Sequence, residues 1–234
     1  MPKTTKKDVC YILKKNIDTQ ELIYSLRSVE KNLPHRKVWF IGGQPEGLTP
    51  DGRLIHEQVG DCKWEMIRSS MRAILDCPDI TDEFYLFNDD FFVMKPVKGK
   101  FINFADKTLT YRICELKIGQ MRETPYTKTL IKVREELKIL GYDEANFEVH
   151  LPMLIDKNLM RNSINACSSP QMRSAYGNIN KIKYIEREDV KVYDLNAVPK
   201  DADFISTNDR TFTNGKVGRF IRETFTEPSR FEKI

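Results

Sequence analysis

Along the first hundred residues, apolar positions recur with two alternating periods. The run "DVCYIL" (8–13) is short, aromatic and β-branched, and it predicts a strand. In "DTQELIYSLRSVEKNL" (18–33), Leu22, Leu26, Val29 and Leu33 repeat at helical spacing, behind a D-x-x-E capping box from Asp18 to Glu21. "KVWFIGG" (37–43) predicts a second strand ending in a glycine turn, and "TPDG" (49–52) a surface turn. A second helix is expected over about 63–75, with Trp64, Ile67, Met71 and Ile74 on one face, and "EFYLF" (83–87) is a third strand. Strand, helix, strand, helix, strand is the order of an α/β sheet with parallel strands. Beyond residue 97 the pattern weakens. Helices are expected over 127–140, from near Leu151 and over 215–225, with a late strand at "DVKVYDL" (189–195). There is neither an internal repeat nor a low-complexity linker, so a single domain over 1–234 is expected.

Composition narrows the class. Forty per cent hydrophobic residues in 234 can fill one real core. The formal net charge of +4, partly from "MPKTTKKD" at the start, permits an anionic partner without demanding one. The longest apolar runs are too short to cross a bilayer, and no apolar stretch follows the first lysines, so neither membrane insertion nor a signal peptide is expected. The five cysteines are scattered, odd in number and form no C-x-x-C pair, which points to reduced thiols in a cytoplasm.

The stretch "FYLFNDDFFVMKPV" (84–97) sets Asn88, Asp89 and Asp90 between two runs that read as core. Adjacent carboxylates repel, and burying either without a partner is costly, so the arrangement calls for a cation. In open α/β sheets, ligands bind beyond the carboxyl ends of the strands. Lys14 and Lys15 follow the first strand, Gly42 and Gly43 the second, and the acidic pair the third. A divalent Mg²⁺ or Mn²⁺ there would bridge the carboxylates to a diphosphate and neutralise a leaving group. The plainer alternative is an acidic turn that caps the next element.

Several blocks carry a family resemblance. They are "ELIYSLRSVEKNLPHRKVWFIGGQPEGL", "FYLFNDDFFVMKPV", "FEVHLPMLID" (147–156) and, more weakly, "FISTNDRTF" (204–212), and together they cover about half the chain in order. The segment 16–97 resembles the central region of the Stealth family of sugar-phosphate transferases, and is similar to short phage-encoded proteins described as glycosyltransferases. The resemblance implies a GT-A-like (Rossmann-like) mixed sheet flanked by helices. Residues 1–97 would form the nucleotide-binding half ending in the NDD motif, and 98–234 the acceptor-side half. In such enzymes an Asp-x-Asp motif after a central strand holds the metal. Here Asn88 occupies the first position, which makes Asp90 the first candidate ligand and Asp89 the second, with a catalytic role for Asp89. The resemblance also brings His150 into the metal shell, where an imidazole nitrogen favours Mn²⁺ over Mg²⁺. In an extended segment Glu148 and His150 share a face, and Glu148 is then the candidate general base. His35 and His56 read as structural.

For the donor, Lys14, Gly42, Gly43, Lys63, Arg68 and Asn88 are candidate contacts, Asp61 precedes the second helix with Lys63, and Trp64 could stack on a base or belong to the core. Asn208 and Asp209 either close the site or form a plain Asx turn. Arg27 and Ser25 read as structural first. The expected function is metal-dependent transfer of a sugar from a nucleotide-sugar donor to a hydroxyl. The expected acceptor is a hydroxymethylated base in phage DNA, in the host cytoplasm, or otherwise a glycan or protein. The basic clusters "KPVKGK" (95–100) and "NKIKYIER" (180–187) fit DNA weakly. A hexose-1-phosphate transfer to a glycan and a non-catalytic nucleic-acid or carbohydrate-binding protein are the alternatives.

Overall fold

A computed structural model describes residues 6–15, 19–60, 62–120 and 122–233. Asp18 and Asp61, expected at helix starts, lie outside the described residues, as does Asn16 at the start of the resembling segment. The main sheet has five strands. β1 (Asp8–Leu13), β2 (Val38–Gly42), β3 (Gly52–Leu54) and β4 (Glu83–Phe87) are parallel in the order β3-β2-β1-β4, and β8 (Met153–Asp156) joins β4 antiparallel at the edge.

The continuous apolar run of β1 follows from burial on both faces. Val9, Tyr11 and Leu13 pack with Leu22, Leu26 and Val29 of α1 (Thr19–Asn32). Cys10 points the other way, into a second core with Met71, Ile74 and Leu75 of α2 (Lys63–Asp76). At the amino end of β1, buried Asp8 accepts from Arg36 Nε and Nη2 at 2.8 and 2.6 Å, Trp39 Nε1 at 3.0 Å and Thr81 N–H at 3.1 Å. Burial pushes its pKa up, but the Arg36 contact and the Thr81 N–H outweigh that and hold it below the ordinary aspartate value.

After β4 the chain turns through Asn88–Asp90 into β5 (Phe91–Val93), which pairs antiparallel with β10 (Phe204–Ser206) in a two-stranded ribbon. Small polar residues of α1 lock this ribbon. Ser25 Oγ donates to Phe91 O at 2.5 Å, Ser28 Oγ accepts from Val93 N–H at 3.0 Å, and Asn32 Nδ2 donates to Val93 O at 2.7 Å. A third sheet runs β7 (Ala145–Asn146), β6 (Asn103–Thr108), β9 (Tyr184–Glu186). Against it lie α3 (Leu109–Gln120) and α6 (Met172–Ile179), with α4 (Pro125–Ile139) packed on both helices; α5 (Lys157–Ala166) packs on α2, α6 and β8, and α7 (Asp209–Asn214) and α8 (Lys216–Thr224) follow β10. Residues before and after 97 share both the main sheet and the ribbon.

Three expectations need correction. The segment after Leu151 first forms β8, because its apolar Met153 and Ile155 fill the face beside β4, and the helix starts only at Lys157. The stretch 189–195 is no strand but a single parallel bridge from Lys191 to Ser206. Ile67 is 36 % exposed and lies outside the buried face of α2. No described helix is long and apolar enough to cross a membrane, and all five cysteines are free thiols.

Candidate active site at the switch point of the sheet

Strand order reverses between β1 and β4, because the chain builds β2 and β3 to one side of β1 and then returns to the other. The carboxyl ends of these two strands flank the position where open α/β sheets bind ligands. Lys14 stands at one end and Asn88 at the other. The turn is tight, with Phe91 N–H donating to Asn88 O at 3.3 Å, so Asp89 and Asp90 follow at the rim.

Asp90 is 9 % exposed. Its Oδ2 takes the Lys191 ammonium at 2.8 Å and the Ser206 hydroxyl at 3.3 Å. Its Oδ1 is closed off from solvent with no hydrogen-bond partner. The bridge to Ser206 fixes the Lys191 backbone, since Ser206 is in register with Phe91, the residue after Asp90. Burial pulls the Lys191 pKa down, but the Asp90 carboxylate outweighs it and raises it above the ordinary lysine value, so the ammonium stays charged. Asp89 is pushed up to about 6, first by burial and then by Asp90, with Lys14 pulling the other way.

Glu21, on the first turn of α1, joins this cluster. It accepts from Thr207 Oγ1 at 2.5 Å, and burial, with Asp90, Asp89 and Asp209 nearby, pushes it up to about 7. A carboxyl with a raised folded pKa binds more protons folded than unfolded, so its ionisation destabilises the fold. That cost is complete above about pH 7 and disappears as the pH falls toward 4.5. Glu21→Gln keeps an acceptor for Thr207 and removes the charge. Its thermal midpoint should exceed that of the unaltered protein at pH 8 by the equivalent of about 2 kcal/mol, and the difference should close at pH 5. Equal midpoints at pH 8 would mean that Glu21 is not charged at a cost.

His150 and Glu148 face different partners. The His150 Nδ1 lies 2.7 and 2.9 Å from the two oxygens of Asp189, and its backbone N–H reaches Asp189 at 3.3 Å. Burial raises the Asp189 pKa, yet the imidazole contact more than offsets this and the carboxylate stays ionised. In a neutral imidazole the proton then sits on Nδ1 and Nε2 presents its lone pair. Glu148 accepts from the Ser174 N–H at 2.9 Å, and the Ser174 hydroxyl accepts from Phe147 N–H at 3.2 Å. This docks 147–148 on the first turn of α6, where a carboxylate is favoured by free N–H groups and the helix dipole. Burial raises the Glu148 pKa, opposed by that N–H and by Arg173. The backbone bends at 149–150, so the expected extended segment is broken between the two side chains.

Arg173 ties the pieces together. It donates to Leu151 O at 2.7 Å, Val149 O at 3.3 Å and Asn88 Oδ1 at 3.2 Å, and its guanidinium stacks over Phe91 at 5.4 Å. The end of β4 is thereby joined to the 147–151 segment.

Other expected donor contacts lie elsewhere or have other duties. Arg68 donates to the carbonyls of Ile164, Cys167 and Ser169 at 2.5 to 2.7 Å, which makes it a brace between α2 and the end of α5. Gly42, at φ +87°, and Gly43 sit at the rim, but the space a Cβ would take is filled by Leu13 O and Lys14 O, so their close approach is to the protein's own chain. Lys63 lies over the Trp64 ring, and Trp64 stacks on Tyr126 at 6.3 Å. Asn208 caps α7 in a capping box with Thr211, the Asx alternative, while Thr207 N–H donates to Asp90 O at 3.3 Å and holds the 206–209 block on the acidic turn. Arg27 pairs bidentately with Glu232 at 2.6 and 2.9 Å, a structural brace.

The residues expected to ligate a metal do not fit one. Among the described residues no three His, Cys, Asp or Glu groups are gathered as a metal-ligand set. One oxygen of Asp90 is covered and the other already holds an ammonium. Lys191, Asp189, Arg173 and Glu21 were not anticipated as site residues. The alternation in "DVKVY" was the available signal for two of them, because it sends Asp189 and Lys191 the same way. No protein-family model matches the chain, and no curated protein matches it.

Proposed function

We propose that this protein is a glycosyltransferase of GT-A type that moves a sugar from a nucleotide-sugar donor to a hydroxyl. The observation that carries the reading is the convergence, at the switch point between β1 and β4, of the acidic turn, two ammonium groups and a carboxylate-backed histidine. The β3-β2-β1-β4 order with an antiparallel neighbour supports the fold assignment. In the reaction, the bond between the anomeric carbon and the diphosphate oxygen breaks, and its electron pair leaves on the diphosphate. The acceptor oxygen bonds to that carbon, and its proton passes to a base. Geometry favours His150 Nε2 as that base, because Asp189 orients the ring, while Glu148 is engaged at α6. Lys14 and Lys191 offset charge on the departing diphosphate, and the transition state resembles an oxocarbenium ion.

The acceptor proposal remains DNA carrying a hydroxymethylated base, with a glycan or protein as the other acceptors. The first basic cluster lines a concavity of about 300 Å³ with Lys95, Lys98 and Lys100, beside Phe101, Ile185 and Asp203, while the second cluster contributes only Ile185. It lies at the Val93–Phe204 end of the ribbon, away from the Phe91–Ser206 end that carries Asp90. Incubation with a panel of nucleotide sugars and with hydroxymethylated DNA, plain DNA and glycans, read by mass spectrometry, tests the reading. Release of nucleoside diphosphate with a sugar added to one acceptor supports it. Release of nucleoside monophosphate would mean hexose-1-phosphate transfer instead, and no donor cleavage at all would leave a binding protein.

A further inference from the structure

We propose that Lys191 is the resident cation of this site: its ammonium stands where a divalent metal would bridge the acidic pair to a diphosphate, and the site binds nucleoside diphosphates without metal. The inference rests on the glycosyl-transfer reading and names how that site holds its donor. Two adjacent carboxylates behind a buried strand need a positive partner, and Lys191 supplies it at 2.8 Å from Asp90 Oδ2.

Three features make the ammonium a fixture rather than a passing contact. Its backbone N–H donates to Asp189 Oδ1 at 3.1 Å, its residue bridges to Ser206, and Ser206 itself donates to Asp90 Oδ2. The charge is therefore placed by the same ribbon that places Asp90. The side chain is 15 % exposed, so it is not sealed from solvent. An ammonium has three N–H donors, and Asp90 takes one, which leaves donors for phosphate oxygens. A metal has no comparable route to Asp90. Oδ1 is covered and unpartnered, and an ion at Oδ2 would have to displace the ammonium and stand beside its charge. Among the described residues no three His, Cys, Asp or Glu groups are gathered that could hold the ion. Lys14, at the end of β1, supplies a second positive charge on the Asp89 side.

Isothermal titration with UDP, GDP, ADP, CDP and inorganic pyrophosphate, each in excess EDTA and again in Mn²⁺, decides the matter. At least one nucleoside diphosphate should bind in EDTA within about threefold of its affinity in Mn²⁺. Lys191→Met should lose ~10–100-fold in EDTA, the usual worth of a hydrogen bond to a charged group, while Lys191→Arg, which keeps the charge, should retain most of the affinity. Binding that appears only with Mn²⁺, or wild-type affinity of Lys191→Met in EDTA, would overturn the proposal and leave glycosyl transfer standing. No binding of any diphosphate in either condition would remove both. Should Lys191→Met melt before titration, the EDTA and Mn²⁺ comparison on the unaltered protein still settles the outcome.

Discussion

Replacing His150 by Ala should lower the rate of sugar transfer ~10²–10⁴-fold, the range expected for loss of a positioned base. Donor affinity should stay within a few fold, because the imidazole makes its contact with Asp189 and not with the acidic turn. Asp189→Asn should lose part of the same factor, since an amide no longer selects the tautomer that leaves Nε2 unprotonated. Glu148→Gln is the control. Its carboxylate accepts from the first turn of α6 at 2.9 Å, so the amide should cost stability and less than tenfold in rate. Single-turnover rates and donor affinities for the three variants separate the roles. If Glu148→Gln falls as far as His150→Ala while both stay folded, the base is Glu148. If His150→Ala loses donor affinity and rate together, the histidine is a ligand and not a base.

What the sequence displayed well was whatever repeats locally. β1, α1, β2, α2 and β4 were legible because each is either a run buried on both faces or a helix with one apolar stripe, and these signals need only neighbouring residues. β3 was hidden in "DGRL", since an edge strand of three residues has no pattern to show. The segment "MLID" reads equally as helix or strand, and only its pairing with β4 decides the matter.

The site divided in the same way. The acidic turn stood out because charge between two apolar runs is locally anomalous. Lys191 and Asp189 did not, because a lysine and an aspartate in a polar stretch are ordinary until the chain returns, about a hundred residues after Asp90, to lie beside it. The demand for a cation was therefore readable from "FNDDFF", but whether the cation came from solution or from the chain was a question of tertiary contact. Arg68 illustrates the converse. A basic residue on the second helix looks like a phosphate contact, yet three carbonyls left open at the end of α5 claim its donors.

Arg173→Met should have the largest effect on the fold among the site residues. The side chain joins three parts: the Leu151 and Val149 carbonyls, Asn88 after β4, and the Phe91 ring of β5. Its charge also lowers the cost of keeping Glu148 ionised beside α6. Methionine fills a similar volume over Phe91 but leaves Glu148 without that charge and takes a donor from the Leu151 carbonyl, while Val149 O keeps the Leu151 N–H at 2.9 Å. Leaving a buried polar group without its hydrogen-bond partner typically costs about 1–3 kcal/mol. The upper figure is appropriate here, because the contacts to Leu151 O and Asn88 Oδ1 are lost together, and for a domain of this size it corresponds to a fall of ~6–12 °C in Tm. Glu148→Gln in the Arg173→Met background should recover part of that loss, since it removes the stranded charge, so the two changes should be non-additive in a double-mutant cycle. The comparison is made by thermal unfolding at pH 8. An Arg173→Met midpoint equal to that of the unaltered protein, or strict additivity of the two changes, would show that Arg173 braces nothing and that the 147–151 segment is held by α6 alone.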